Sequence, residues 1–228
     1  MANSQILIVI VVALVMGWFA FGILFNLRRG NALLRWMQLG LPSIGERTTF
    51  RWLGSSAVEM IIQKAHPPFR RLETVIVLAP RDVPWLWLIA LLRGRHDTLI
   101  LRAHLSVSPR PDLELADPRS WTGRMALEEV SRRGWESLDL AEIPYQGLRL
   151  MAPKGLLDLA HQTVIRLKLP ASALAPQYIR LSLRREAPHL ELHIPFPDRR
   201  QPDAARFFAS YQELARQVAE GRASTETL

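Results

Sequence analysis

The side chains best suited to chemistry cluster near the C-terminal end of the chain. His189-Leu190-Glu191-Leu192-His193 sets a carboxylate between two imidazoles at alternate positions. Alternate residues of a β-strand share a face, and these donor types suit a divalent cation. Each two-residue step covers roughly 7 Å, so the three groups converge poorly and a metal needs a further ligand from another element. The simpler expectation is a polar ladder. Leu190, Leu192 and Ile194 then turn to the core, while Glu191 meets Arg180, Ser182 or Arg184 across a hairpin closed at Glu186-Ala187-Pro188. No metal and no cofactor is expected.

A second group is Arg95, His96, Asp97 and Arg102, flanking the start of a strand. Arg95 and Arg102 suit an anion such as a phosphate or a lipid headgroup, while an Arg–Asp clamp fixing the Gly94 turn is the structural reading. Among the remaining acids, Asp112, Glu114, Asp117, Glu128 and Glu129 read first as solvated turn and helix positions. No nucleophile elbow, Walker loop, glycine-rich dinucleotide loop or H-E-x-x-H occurs, so no catalytic residue is assigned. The chain has no cysteine, which excludes a disulfide framework, a cysteine-ligated zinc, an iron–sulfur cluster and a thiol nucleophile.

These groups must be carried by elements of two kinds. From Ile6 to Phe25 no residue bears a formal charge. At about 1.5 Å per residue this run spans roughly 30 Å, enough to cross a hydrocarbon core. MANSQ has no basic residue, unlike the n-region of a cleaved signal. Residues 6–27 are therefore expected to be a transmembrane helix after a short outer N-terminus, 1–5. Arg28, Arg29 and Arg35 follow it and favour the cytoplasmic side, giving a single-pass cell-membrane protein with its domain in the cytoplasm. Residues 28–45 read as a basic amphipathic juxtamembrane segment, with a helix over 31–42 that Asn31 can cap. Either Arg28, Arg29, Arg35 and Trp36 face the membrane surface and its anionic headgroups, or the helix is a linker packed against the soluble domain.

Beyond it, alternating apolar residues and proline turns predict an α+β domain in two ββαββα-like halves, 46–134 and 135–228, with antiparallel hairpins covered by helices. The proposed order is strand 56–64, strand 71–79, helix 85–92, strand 96–107, return strand 113–116 and helix 118–133 capped by Asp117. It recurs as 137–143, 148–151, helix 156–167, strand 178–185, strand 190–196 and helix 203–221. Pro84-Trp85-Leu86-Trp87-Leu88-Ile89-Ala90-Leu91-Leu92 is apolar throughout and too short to cross a bilayer. It reads as a core helix, or as a surface that dips into the membrane or grips a partner through Trp85, Trp87 and Leu88.

The formal charge of +8 divides into +3 before Glu46 and +5 from Glu46 onward. Basic and acidic positions are interleaved, with no stripe of the kind nucleic acid demands. The functional expectation is a non-enzymatic scaffold or protein-binding subunit at the membrane surface, bound to a protein partner or a second copy of itself. The alternative is a membrane-bound hydrolase, or an enzyme handling lipid or phosphate groups, with a site assembled from dispersed Arg, Asp and His residues.

Overall fold

A computed structural model describes residues 2–143, 145–167, 180–196 and 203–220. It opens with one unbroken helix, α1 (Ala2–Gly40). The apolar run and the basic segment after it are continuous, so Asn31 lies inside the helix and does not cap a second one. Nothing between Arg28 and Gly40 interrupts the i→i−4 ladder. The helix gives way to a single 3-10 turn, Leu41–Ser43, where Pro42 lacks the N–H to continue. The N-terminal part reaches a mean hydropathy of 2.9, with 6% of that stretch buried. It is long and apolar enough to cross a membrane.

The described strands form one antiparallel sheet of nine. In chain order they are β1 (Thr48–Trp52), β2 (Ala57–Ile62), β3 (Phe69–Val77), β4 (Thr98–Leu105), β5 (Leu113–Ala116), β6 (Glu136–Asp139), β7 (Arg149–Ala152), β8 (Arg180–Leu183) and β9 (Leu190–Pro195). The helices between and after them are α2 (Pro84–Leu92), α3 (Trp121–Arg132), α4 (Leu157–Arg166) and α5 (Ala204–Glu220). Spatial order is β1-β2-β3-β4-β9-β8-β5-β7-β6.

Several expectations change here. β1 adds an edge strand that the alternation from Ser56 onward did not include. β4 and β5 are not a hairpin; the β8–β9 hairpin sits between them, with β4 pairing β9 and β5 pairing β8. β3 pairs β4, whereas its counterpart β7 pairs β5, so the similar element order does not become a two-fold repeat. Ser120, not Asp117, caps α3 by accepting the Gly123 N–H at 3.0 Å. Asp117 instead accepts from the N–H of Arg119. Tyr178, Ile179 and Gly221 lie outside the described residues.

One face of the sheet is the core. Val58, Leu72, Leu99, Leu101, Leu192, Leu181, Leu113 and Leu150 are buried there under α1, α4 and α5. Phe207, Phe208 and Tyr211 come from α5, and Leu33, Leu34 and Met37 from the second half of α1. Each fully buried side chain of this size contributes about 1.5–3 kcal/mol. That apolar seam, not any ion pair, supplies most of what holds α1 to the domain. Trp36 belongs to it as well, with ring centroids 5.5 Å from Phe207 and 6.1 Å from Phe208.

Candidate functional site

The opposite face of the sheet is polar, and strand register sets its charges in rows. Glu73 lies opposite Arg102, Arg102 opposite Glu191, Glu191 opposite Ser182, and Ser182 opposite Glu114. The second row runs Ile100, His193, Arg180, Ala116. Pairs follow both across and diagonally. Arg102 Nε donates to Glu191 at 3.1 Å, and Arg180 approaches Glu191 at 3.4 Å and Glu114 at 2.5 Å. Arg184 donates to the same Glu114 and stacks its guanidinium 4.7 Å from the Trp135 ring. The Glu114 carboxylate is fully buried, so both arginines are needed to balance it.

α3 lies over part of this face, seated on a small apolar cluster of Ala116, Leu127, Val130 and Met151. Between its Trp121–Arg132 edge and the sheet runs a groove of about 420 Å³. Trp121, Met125 and Ala126 line one side, Ile100, His193 and Arg180 the other, with Thr122, Glu128, Glu129 and Arg132 around them.

His193 and Glu191 form the centre of this wall. His193 Nε2 lies 2.5 Å from Glu191 Oε1. With a carboxylate as acceptor, Nε2 carries the hydrogen, and in the neutral ring Nδ1 keeps the lone pair. His193 Nδ1 and Thr122 Oγ1 are buried, and neither has a hydrogen-bond partner among the described residues. Two unpartnered polar atoms in one groove are a departure from the usual satisfaction of buried polar groups.

Burial opposes ionisation of Glu191, yet the hydrogen bond and the charge of His193, followed by the charges of Arg180 and Arg102, outweigh it and hold the carboxyl at about 2. A depressed folded value means that this group stabilises the fold above its ordinary 4.5 and that the contribution fades as pH falls toward 2. The unfolding free energy is therefore expected to drop through that acid window. In Glu191→Gln the slope there should be shallower in denaturant titrations at stepped pH. Parallel curves for the two proteins would contradict the assignment.

A separate polar cluster joins α1 to the domain. Asp97, with a side chain 3% exposed, accepts from Arg29 Nε at 2.5 Å, from Arg81 at 2.9 and 3.0 Å, and from the Ala79 N–H at 2.7 Å. Burial raises its pKa, but those hydrogen bonds and the two guanidinium charges hold it below the usual carboxylate range. Asn26, wholly buried on α1, donates to Ala79 O at 3.0 Å and accepts from Arg81 at 3.2 Å. The guanidiniums of Arg29 and Arg81 lie over the rings of Phe196 and Phe25.

The residues singled out from sequence fall as follows. Arg28 and Arg35 are exposed on α1, while Arg29 is turned to Asp97. The anticipated Arg–Asp clamp thus exists with different arginines, Arg29 and Arg81. Arg95 lies 5.1 Å over the Trp121 ring at the groove, and Arg102 is in the charged ladder. His189 is engaged away from Glu191, its Nδ1 accepting from the Leu105 N–H at 3.0 Å. The His189–Glu191–His193 trio is therefore not a converged ligand set, and no cluster of metal-ligating side chains occurs among the described residues. Trp85 and Leu88 are exposed on α2, and Trp87 is half-buried against Trp18, with centroids 5.9 Å apart. Sequence reasoning missed Thr122, Trp121 and Arg132 as groove residues, and Asn26 as an anchor. A lone amide closing an apolar run was the one available signal for Asn26.

The fold and its polar face define an α+β domain joined through a buried ion cluster to a long apolar helix. No protein-family model matches the chain, and no curated protein matches it.

Proposed function

We propose that the protein is a membrane-bound enzyme that hydrolyses an ester or phosphoester of an amphiphilic substrate held in the α3 groove. The carrying observation is the Glu191–His193 pair in that groove, with His193 Nδ1 unpartnered. A carboxylate fixing one nitrogen of an imidazole leaves the other to act as a general base. His193 Nδ1 takes a proton from water as the water oxygen bonds to the acyl carbon or phosphorus. The bond to the leaving alkoxide then breaks, and the proton passes from Nδ1 to that oxygen, so ester and water become acid and alcohol. Arg180 on the wall and Arg132 on α3 are placed to offset charge that develops on the substrate oxygens. Trp121, Met125 and Ile100 offer an apolar bed for a chain. Nδ1 itself is buried, so substrate must displace part of the groove wall to reach it.

Membrane placement draws on α1, whose apolar stretch is 6% buried and so lacks the cover that a soluble core helix has. Arg28, Arg29 and Arg35 favour a cytoplasmic domain.

The test uses the full chain in mixed micelles with a fluorogenic long-chain carboxylic ester and a fluorogenic long-chain phosphodiester. Wild type should turn over one class, and His193→Gln should lose about 10²–10⁴-fold in kcat, the range for a general base. Thr122→Val reports whether that hydroxyl orients substrate, seen as a KM effect. Turnover of neither ester class by wild type, or unchanged kcat in His193→Gln, overturns the reading. Specific recovery of one stoichiometric protein from membranes, with no turnover, would favour the scaffold reading.

A further inference from the structure

We infer that α2 is immersed in the bilayer beside α1, in the leaflet at the Arg28 end of the helix, so that lipid covers its exposed apolar face. This rests on the reading that α1 spans the membrane. From Pro84 to Leu92 no side chain carries a polar group except the two indole N–H donors. Trp85 is 60%, Leu88 52% and Leu92 78% exposed, an arrangement a water-facing helix does not tolerate over its whole outer surface. Ala90 is the one buried residue of the helix.

The face is continuous with α1. Trp87 packs on Trp18, and Trp18 lies within the uncharged run, seven residues before Phe25. That separation is about 10 Å along the helix axis, comparable with the depth at which interfacial helices sit, roughly 5–10 Å. α2 is therefore level with an apolar part of α1 and not with its basic end.

The turn that leads into α2 is held by α1, and its Asp82 carboxylate accepts from the Ser55 hydroxyl at 2.8 Å. Backbone groups in hydrocarbon need protein partners, and here α1 supplies them. Trp18 Nε1 donates to Arg81 O at 2.9 Å, and Asn26 donates to Ala79 O at 3.0 Å. Gly22 admits the turn, since a Cβ there would collide with the Arg81 carbonyl. The charge of Arg81 is met by Asp97. At the far end, the N–H groups of Arg93, Gly94 and Arg95 close on the carbonyls of Ile89, Leu91 and Ala90. Gly94 takes φ +68 to return the chain to the domain.

A chain without cysteine allows a direct test. Single-cysteine variants Leu88→Cys and Leu92→Cys, each nitroxide-labelled, are placed in phosphatidylcholine–phosphatidylglycerol vesicles. Leu14→Cys on α1 and Arg51→Cys on the sheet serve as references. Collision with oxygen relative to a water-soluble nickel chelate should rise severalfold above the Arg51 value and approach that of Leu14. Aqueous values at 88 and 92 with a lipid value at 14 overturn this inference alone. An aqueous value at 14 overturns the membrane reading itself. Low collision with both reagents at 88 and 92 means that a protein or second copy covers α2, and also overturns it. An apolar carbene reagent dissolved in the acyl region provides the same measurement on the unmodified chain: adducts within 84–92 are expected, and their absence counts against immersion.

Discussion

Asp97→Ala is expected to lower the unfolding free energy by about 3–5 kcal/mol, the loss typical when one partner of a buried ion cluster is removed. The cause is what remains behind. Arg29 is 41% exposed and recovers hydration, but Arg81 is 23% exposed and keeps a charge met by the Asn26 amide and the Phe25 ring without a carboxylate. The Ala79 N–H, buried on Asp97, also loses its acceptor. Asp97→Asn retains an oxygen at that site and should cost less. Adding Arg81→Met to Asp97→Ala should recover part of the loss, because no stranded charge is left. Unfolding in detergent gives the energies. Limited trypsinolysis at Arg28 and Arg29 gives the local effect, since cleavage should quicken when α1 loosens from the domain. A loss below about 1 kcal/mol would place the cluster with ordinary solvated pairs.

Glu114→Ala should be as damaging, again by about 3–5 kcal/mol, for the same reason with less relief. Arg180 and Arg184 are 18% and 21% exposed and share this one fully buried carboxylate. Arg180 retains Glu191 at 3.4 Å, whereas Arg184 keeps carbonyls and the Trp135 face but no carboxylate. The loss should therefore appear first around β8 and β5 as faster amide exchange there, while α1 and β2 remain protected. Glu114→Gln separates charge from hydrogen bonding: it keeps an acceptor and should lie between wild type and Glu114→Ala. Uniform loss of protection across the whole sheet would show that Glu114 holds global stability and not this corner.

In both lesions the surroundings of the carboxylate differ from those its local sequence suggested. Asp97 was paired in expectation with its neighbours Arg95 and Arg102, and its partners came from α1 and from Arg81. Glu114 read as a turn acid and is fully buried. Neither outcome is written in local spacing, because both depend on which strands lie side by side. Insertion of the β8–β9 hairpin between β4 and β5 brings Glu114 to Arg180 and Glu191 to Arg102. The Glu191–His193 pair was visible as an i, i+2 spacing, and its facing Arg180 was anticipated. Its groove was not, since α3 crosses that face from elsewhere in the chain.

By itself the sequence determined the long apolar helix, the bounds of α2 to within a residue, and the inward sides of the hairpin strands β8 and β9. Those are local properties: a run of uncharged residues, a proline or glycine at an end, a period of 2 or 3.6. Tertiary structure alone decided that nine strands join in one sheet and that α1 continues into the core. It also decided that α2 lies exposed against α1, and which arginine meets which carboxylate. These depend on contacts between residues far apart in sequence, where many pairings satisfy the same local pattern and only packing of the whole selects among them.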